Sequence, residues 1–87
     1  MDQDTQRDVL RRLSYIEGHL AGVRRMIEQD TYCVDVLKQT YAVRRAIEKM
    51  EGKMLGGHLH HCVVDGVSRG DAGVLDELAE LYALANK

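Results

Sequence analysis

Apolar residues recur at intervals of three and four along much of this chain, and this spacing limits its fold more than any other feature. The first series is Val9, Leu13, Ile16, Leu20, Val23 and Ile27. The second series is Val36, Thr40, Val43, Ile47, Met50 and Met54. Each spacing places its members on one face of an α-helix. We expect the second helix to begin near Tyr32, with Asp30 or Thr31 as its N-cap.

Composition favours an all-α fold. The 87 residues include no Pro, Phe or Trp, and residues of good helix propensity dominate. Residues 66–73 predict a turn with Asp71 as a cap, and the stretch after it predicts a short third amphipathic helix. No linker or repeat divides the sequence, so residues 1–87 predict one domain. A domain of this size buries little surface alone, which favours an oligomer.

Four glycines inside the predicted helices each have a predicted structural role. Gly18 and Gly22 lie four residues apart in the first helix, which predicts a close helix crossing on that face. Gly56 and Gly57 are adjacent and predict a bend or local break before residue 58.

Charge is unevenly distributed along the chain. The formal net charge of −2 argues against a generally basic nucleic-acid binder, but residues 7–49 hold nine Lys and Arg against six acids. This half predicts a basic face that could contact a polyanion. The alternative is that its paired arginines, flanked by Glu, are ordinary solvated helix surface.

The N-terminal residues are polar and acidic, unlike a secretory signal. No apolar run approaches the ~20 residues that a membrane span needs. We therefore expect a cytoplasmic protein, in which Cys33 and Cys62 are thiols or metal ligands rather than a disulfide.

The segment HLHHC, residues 58–62, is the candidate metal site. If it is helical, His58 and Cys62 lie on one face and can donate to the same ion, whereas His60 and His61 point elsewhere. Cys33 begins the same predicted helix 25 residues before His58, which is about 37 Å at 1.5 Å per residue. The three residues can share an ion only if the same helix from a second subunit packs antiparallel.

Two thiolates and one imidazole form a soft donor set that favours Cu(I). Zn(II) would need His61 or water as a fourth ligand. The alternative is that Cys33 and Cys62 are small buried residues without a metal, the commoner role of single cysteines. Spacing alone leaves these interpretations open.

Three segments, residues 11–39, 42–50 and 58–67, resemble the CsoR/RcnR family of bacterial metal- and thiol-responsive repressors, and within it the copper-sensing CsoR branch. The resemblance implies three helices per chain, a dimer built on an antiparallel four-helix bundle, and a tetramer made of two dimers. It also implies a Cu(I) site formed by Cys33, His58 and Cys62.

The resemblance implies further roles for residues around the metal and on the basic face. Tyr32 and Glu77 match outer groups that support the metal ligands, with Glu80 as the alternative to Glu77. Family members bind GC-rich inverted repeats in DNA through basic faces of the first two helices. The matching positions are Arg12 and Lys49, and Arg44 and Arg45 are their neighbours in the same basic zone.

Other branches of the family differ at the ligand positions. Nickel and cobalt sensors bring in an N-terminal His and replace the second Cys by His, a formaldehyde-responsive branch lacks that Cys, and a persulfide-sensing branch lacks the ligand His. This chain keeps His58 and Cys62 and has no His before residue 19, which favours copper.

We therefore expect a non-enzymatic repressor that binds operator DNA without copper. Cu(I) would release it and derepress copper-resistance genes. The alternatives are a sensor of another family inducer, a thiol-redox or copper-carrier protein, and a structural zinc-linked dimer.

Overall fold

Three helical rods form the protein in a computed structural model that describes residues 1–87. Helix α1 spans Gln3–Glu28. The second rod consists of α2 (Cys33–Gly57), a π-helical segment (His58–Val63, here the π segment) and α3 (Val64–Ser68), which follow one another without a break. Helix α4 spans Gly73–Ala85. The predicted all-α class with three helical rods is confirmed.

Asp30 ends α1 and does not cap α2. Its φ of 58° lies in the left-handed region, and the next N–H, that of Thr31, donates to the carbonyl of Met26 at 2.9 Å. This is a Schellman ending in which Asp takes the place of the usual Gly. The N-cap residue of α2 is Tyr32, without a side-chain cap hydrogen bond. The predicted start of α2 is confirmed, but its predicted cap by Asp30 or Thr31 is wrong.

The adjacent glycines do not break the second rod, because helix passes through Gly56 and Gly57 into the π segment. Gly57 instead permits a close approach, since a Cβ built there would lie 2.6 Å from Oγ1 of Thr5. The close crossing predicted at Gly18 and Gly22 is not made within the chain. A Cβ at Gly18 would meet no atom within 4 Å, and at Gly22 it would meet only Arg25, at 3.7 Å.

The turn before α4 is shorter than predicted, because Gly66 is a buried residue of α3. A Cβ there would lie 2.6 Å from Cγ1 of Val74, so glycine allows α3 and α4 to approach closely. Gly70 supplies the left-handed residue that ends α3, with φ of 75°. Asp71 accepts the N–H of Gly73 at 3.0 Å, but the N-cap residue of α4 is Ala72, which makes no side-chain cap hydrogen bond. The predicted cap at Asp71 is therefore wrong by one residue.

The core is small and lies between α1 and α2, where Ile16, Val23 and Val43 are buried together. Other members of the first apolar series are exposed, namely Leu13, Leu20 and Ile27. The radius of gyration is 17.2 Å, against about 12 Å for a compact domain of this length. The chain thus forms a flat body that leaves one side of its apolar pattern uncovered. None of its helices combines the length and apolar character that a membrane crossing requires.

Candidate metal half-sites and nucleic-acid interface

The π segment carries two of the three predicted metal ligands. His58 is its first residue and Cys62 its fifth, and both are half-buried. Hydrogen bonds in a π-helix run from residue i to i+5, so the turn is wider than in an α-helix and residues four apart remain close to one face. The pair is therefore helical as predicted, although the helix is of a rarer type that often marks functional sites.

The third predicted ligand lies far from this pair. Cys33 is the first residue of the 25-residue α2, and its thiol is free and exposed. A straight α-helix of that length spans about 37 Å, whereas metal–ligand bonds measure only ~2.0–2.3 Å. Within one chain no three His, Cys, Asp or Glu side chains come together in a group that could hold a metal. The predicted ligands therefore lie apart on the second rod, with Cys33 at one end and His58 with Cys62 near the other.

Tyr32 and Glu77, the two residues predicted to support the metal ligands, lie at different places: one beside Cys33 and the other near the π segment. Tyr32 precedes Cys33 and is 68% exposed. Glu77 is exposed on α4, next to Leu78, which shares an apolar groove with Leu59 of the π segment. Glu80, the alternative, is exposed on the same helix. Tyr32 thus accompanies the Cys33 half-site, and Glu77 lies on the helix that packs beside the π segment.

Four cationic side chains converge between α1 and α2. They line a groove of about 450 Å³, here the basic groove, and are Arg11, Arg12, Arg45 and Lys49. Three of them were predicted as DNA contacts. The fourth predicted contact, Arg44, does not line this groove, and its guanidinium lies over the ring of Tyr41, 5.0 Å from the centroid. Arg11 is not among the predicted contacts, although it stands beside Arg12 in the sequence.

Asp8 moderates the charge of the basic groove. Its carboxylate accepts hydrogen bonds from Arg11 at 2.8 Å and from Arg12 at 3.3 Å. The Arg11 hydrogen bond is the main cause that lowers the pKa of Asp8 below its ordinary value of 3.8. Asp8 is therefore anionic at neutral pH, and an anion that binds Arg11 and Arg12 competes with it.

The two remaining histidines of the motif lie in a different, polar groove between α1 and the second rod. His60 and His61 are exposed and line this groove of about 470 Å³, whereas His58 and Cys62 do not. The Nε2 atom of His61 lies 3.6 Å from Oδ1 of Asp2. Thr5, through its side chain and its backbone N–H, lowers the pKa of Asp2 below 3.8.

The sequence profile of metal-sensitive transcriptional repressors matches residues 5–86. The chain belongs to this family. The resemblance noted from the sequence is therefore confirmed.

Several relatives are named as copper sensors. The chain is 44% identical over 73 residues to the copper-sensing transcriptional repressor RicR of Mycobacterium tuberculosis, covering 84% of this chain and 76% of that protein. It is 39% identical over 75 residues to the copper-sensing transcriptional repressor CsoR of Bacillus subtilis, covering 85% and 74%. The crystal structure of the copper-sensing repressor CsoR with Cu(I) from Geobacillus thermodenitrificans NG80-2 has the same fold. Its TM-score is 0.93 at 30% identity, covering 100% of this chain and 92% of that chain.

Proposed function

We propose that this protein is a Cu(I)-responsive transcriptional repressor that binds operator DNA without copper and is released from it by Cu(I). The observation that carries the proposal is the placement of soft ligands at both ends of one unbroken rod, together with a basic groove on the same chain. Release would derepress genes for copper resistance. The repressor acts in the cytoplasm, as a single domain over residues 1–87.

The donor set fits Cu(I). Cys33 and Cys62 are free thiols, and His58 adds an imidazole, so each site offers two soft sulfur donors and one nitrogen. Cys33 of one subunit would hold the ion together with His58 and Cys62 of its partner, because the rod separates them within one chain. Residues of both subunits would thus hold each Cu(I), at two equivalent sites per dimer.

An antiparallel pair of second rods satisfies this arrangement, because it sets the start of one rod beside the end of the other. The uncovered apolar residues support such pairing, since Leu37, Leu55 and Leu59 of the second rod are all exposed in the single chain. Two such dimers would form the tetramer. Burying these side chains would contribute about 25 cal/mol for each Å² of apolar surface removed from water.

The basic groove is the proposed DNA interface. Arg12, Arg45 and Lys49, with Arg11, would contact phosphates, and Arg44 would contribute from the neighbouring turn. A symmetric oligomer repeats the groove in each subunit, which suits a GC-rich inverted repeat. Several phosphate contacts per subunit make binding strongly salt-dependent even though the net charge is −2.

Release of DNA by copper requires that binding of the two ligands is coupled. The factor by which copper weakens DNA binding equals the factor by which DNA weakens copper binding. Tyr32 and Glu77 would orient His58 without donating to the ion, and Glu77 would join α4 to that change. Because Tyr32 and His58 lie far apart along one chain, Tyr32 of one subunit would lie beside His58 of the other in the proposed antiparallel dimer.

Operator binding followed by fluorescence anisotropy tests the proposal. The probe is a labelled duplex that the protein itself selects from a randomised DNA library. Cu(I), Ni(II), Zn(II), formaldehyde and a persulfide donor are then added separately to the complex. Release by Cu(I) at the lowest concentration supports the proposal, whereas a complex that survives Cu(I) contradicts it.

A further inference from the structure

The first turn of α1 contacts the second rod immediately before the π segment. A Cβ built on Gly57 would lie 2.6 Å from Oγ1, 2.8 Å from Cγ2 and 3.1 Å from Cβ of Thr5. Thr5 is short and β-branched, so its side chain has little freedom to move aside. The contact therefore requires glycine at position 57, and it sets α1 against the residue that precedes His58.

Asp2 orders the same turn and reaches into the π segment. Its Oδ2 accepts the N–H of Thr5 at 3.0 Å, which caps α1. Its Oδ1 is buried without a hydrogen-bond partner and lies 3.6 Å from Nε2 of His61. That distance is too long for a hydrogen bond, but it places an imidazole beside an unpartnered carboxylate oxygen. The first turn thus contacts the second rod both at Gly57 and at His61.

Helix α1 continues without a break from this turn to the basic groove. Asp2 and Arg12 are joined by about 15 Å of helix at ~1.5 Å per residue, all within α1 after its N-cap. Asp8 lies between them, lining the polar groove of His61 on one side and pairing with Arg12 on the other. Helix α1 therefore connects the first turn to the residues of the basic groove without interruption.

We propose that Asp2 and Thr5 are positioning residues that hold the π segment and couple it to the basic groove. They keep His58 and Cys62 in place by packing against Gly57 and His61, and α1 transmits any movement of the π segment to Arg11 and Arg12. The coupling rests on the proposed copper-driven release of DNA. The contact itself does not depend on that function, so the two can be tested separately.

The test compares Gly57→Ala with Gly56→Ala. Both substitutions add one methyl group to a helical glycine and raise helix propensity equally, but a Cβ at Gly56 meets nothing within 4 Å. In the metal-free protein, we expect amide hydrogen exchange over residues 58–63 to be about tenfold faster in Gly57→Ala than in Gly56→Ala. Adding Thr5→Ala to Gly57→Ala removes the two nearest atoms. The new methyl group at position 57 then fills the space that they leave, so the contact is kept and most of the protection should return.

The second readout is the ratio of DNA affinities without and with Cu(I), measured on the selected operator duplex. We expect Gly57→Ala to reduce this ratio about fivefold and Gly56→Ala to leave it unchanged. If Gly57→Ala does not fold, Asp2→Ala replaces it, with Asp4→Ala as control because Asp4 also lies in the first turn but does not cap the helix. Asp2→Ala should then accelerate exchange over residues 58–63, and Asp4→Ala should not.

Three outcomes would overturn the proposal: equal exchange in the two members of a matched pair, no recovery with Thr5→Ala, or faster exchange with an unchanged affinity ratio. A wild-type protein that Cu(I) does not release would instead overturn the proposed function. The exchange comparison would still decide whether the contact holds the π segment.

Discussion

Mixed dimers of two cysteine variants provide the sharpest test of a metal site shared between subunits. Cys33→Ser and Cys62→Ala each remove one soft donor, so either homodimer has a lesion in both of its sites and should lose tight Cu(I) binding by orders of magnitude. In a mixed dimer one site carries both lesions. The other is assembled from Cys33 of one chain and His58 with Cys62 of its partner, all of them native.

The expected stoichiometry follows from the length of the second rod. Since about 37 Å of α2 separates Cys33 from His58, neither chain can complete a site alone. Random pairing of equal amounts makes about half of the dimers mixed, so the mixture should bind about one tight Cu(I) per four chains, against about one per chain in the wild type. Co-expression with two different affinity tags isolates the mixed dimers, and competition with a Cu(I) chelator counts the ions.

The matched control pairs Cys33→Ser with the double variant Cys33→Ser/Cys62→Ala. Every dimer in that mixture lacks Cys33 in both sites, so no tight site should form. If the first mixture bound no more tight Cu(I) than its two parents, the shared site would be refuted, because only a site within one chain predicts the absence of rescue.

Four further substitutions test the DNA interface, the coupling and the core. Asp8→Asn should tighten DNA binding, because Arg11 loses the carboxylate that competes with phosphate; unchanged affinity across a salt titration would argue against phosphate binding there. Lys49→Ala should weaken binding to all DNA sequences and reduce the salt slope by roughly 0.9 for each lost phosphate contact, while chelator competition shows unaltered Cu(I) affinity. Glu77→Gln should impair copper-driven release in the anisotropy assay far more than Cu(I) affinity, and an equal loss of both would make Glu77 a ligand. Ile16→Ala, at a residue 3% exposed, should lower the free energy of unfolding by about 3 kcal/mol in urea titrations followed by circular dichroism; a loss below ~1 kcal/mol would place Ile16 outside the core.

The residues of the basic groove could be predicted only in part from the sequence. The family resemblance predicts Arg12, Arg45 and Lys49 as DNA contacts, and their convergence depends on α1 and α2 packing side by side. Arg11 lines the same groove as Arg12 but is not among the predicted contacts, because sequence spacing does not show that two adjacent arginines can both reach one groove. Arg44 was selected, yet it lies over Tyr41, since side-chain stacking depends on rotamers that a sequence pattern does not specify.

The predictions for Asp30 and Gly66 were wrong for the same reason. Asp30 was expected to begin α2 but ends α1 in the left-handed conformation, because Asp can serve at either kind of helix end. Gly66 was expected in a turn but lies buried against Val74, because glycine serves tight packing as well as turns. In both cases the residue type allowed two structures, and the surrounding chain selected one.

The sequence by itself determined the helical class, the approximate positions of the long helices and the separation of Cys33 from the His58–Cys62 pair. These features depend on periodicity and on the fixed rise of a helix, both of which are local. Only the tertiary structure decided that the motif is π-helical. It also decided that Thr5 packs against Gly57 and that Asp2 lies beside His61. These two contacts join residues more than fifty positions apart. They depend on how α1 lies along the second rod, which no local pattern encodes.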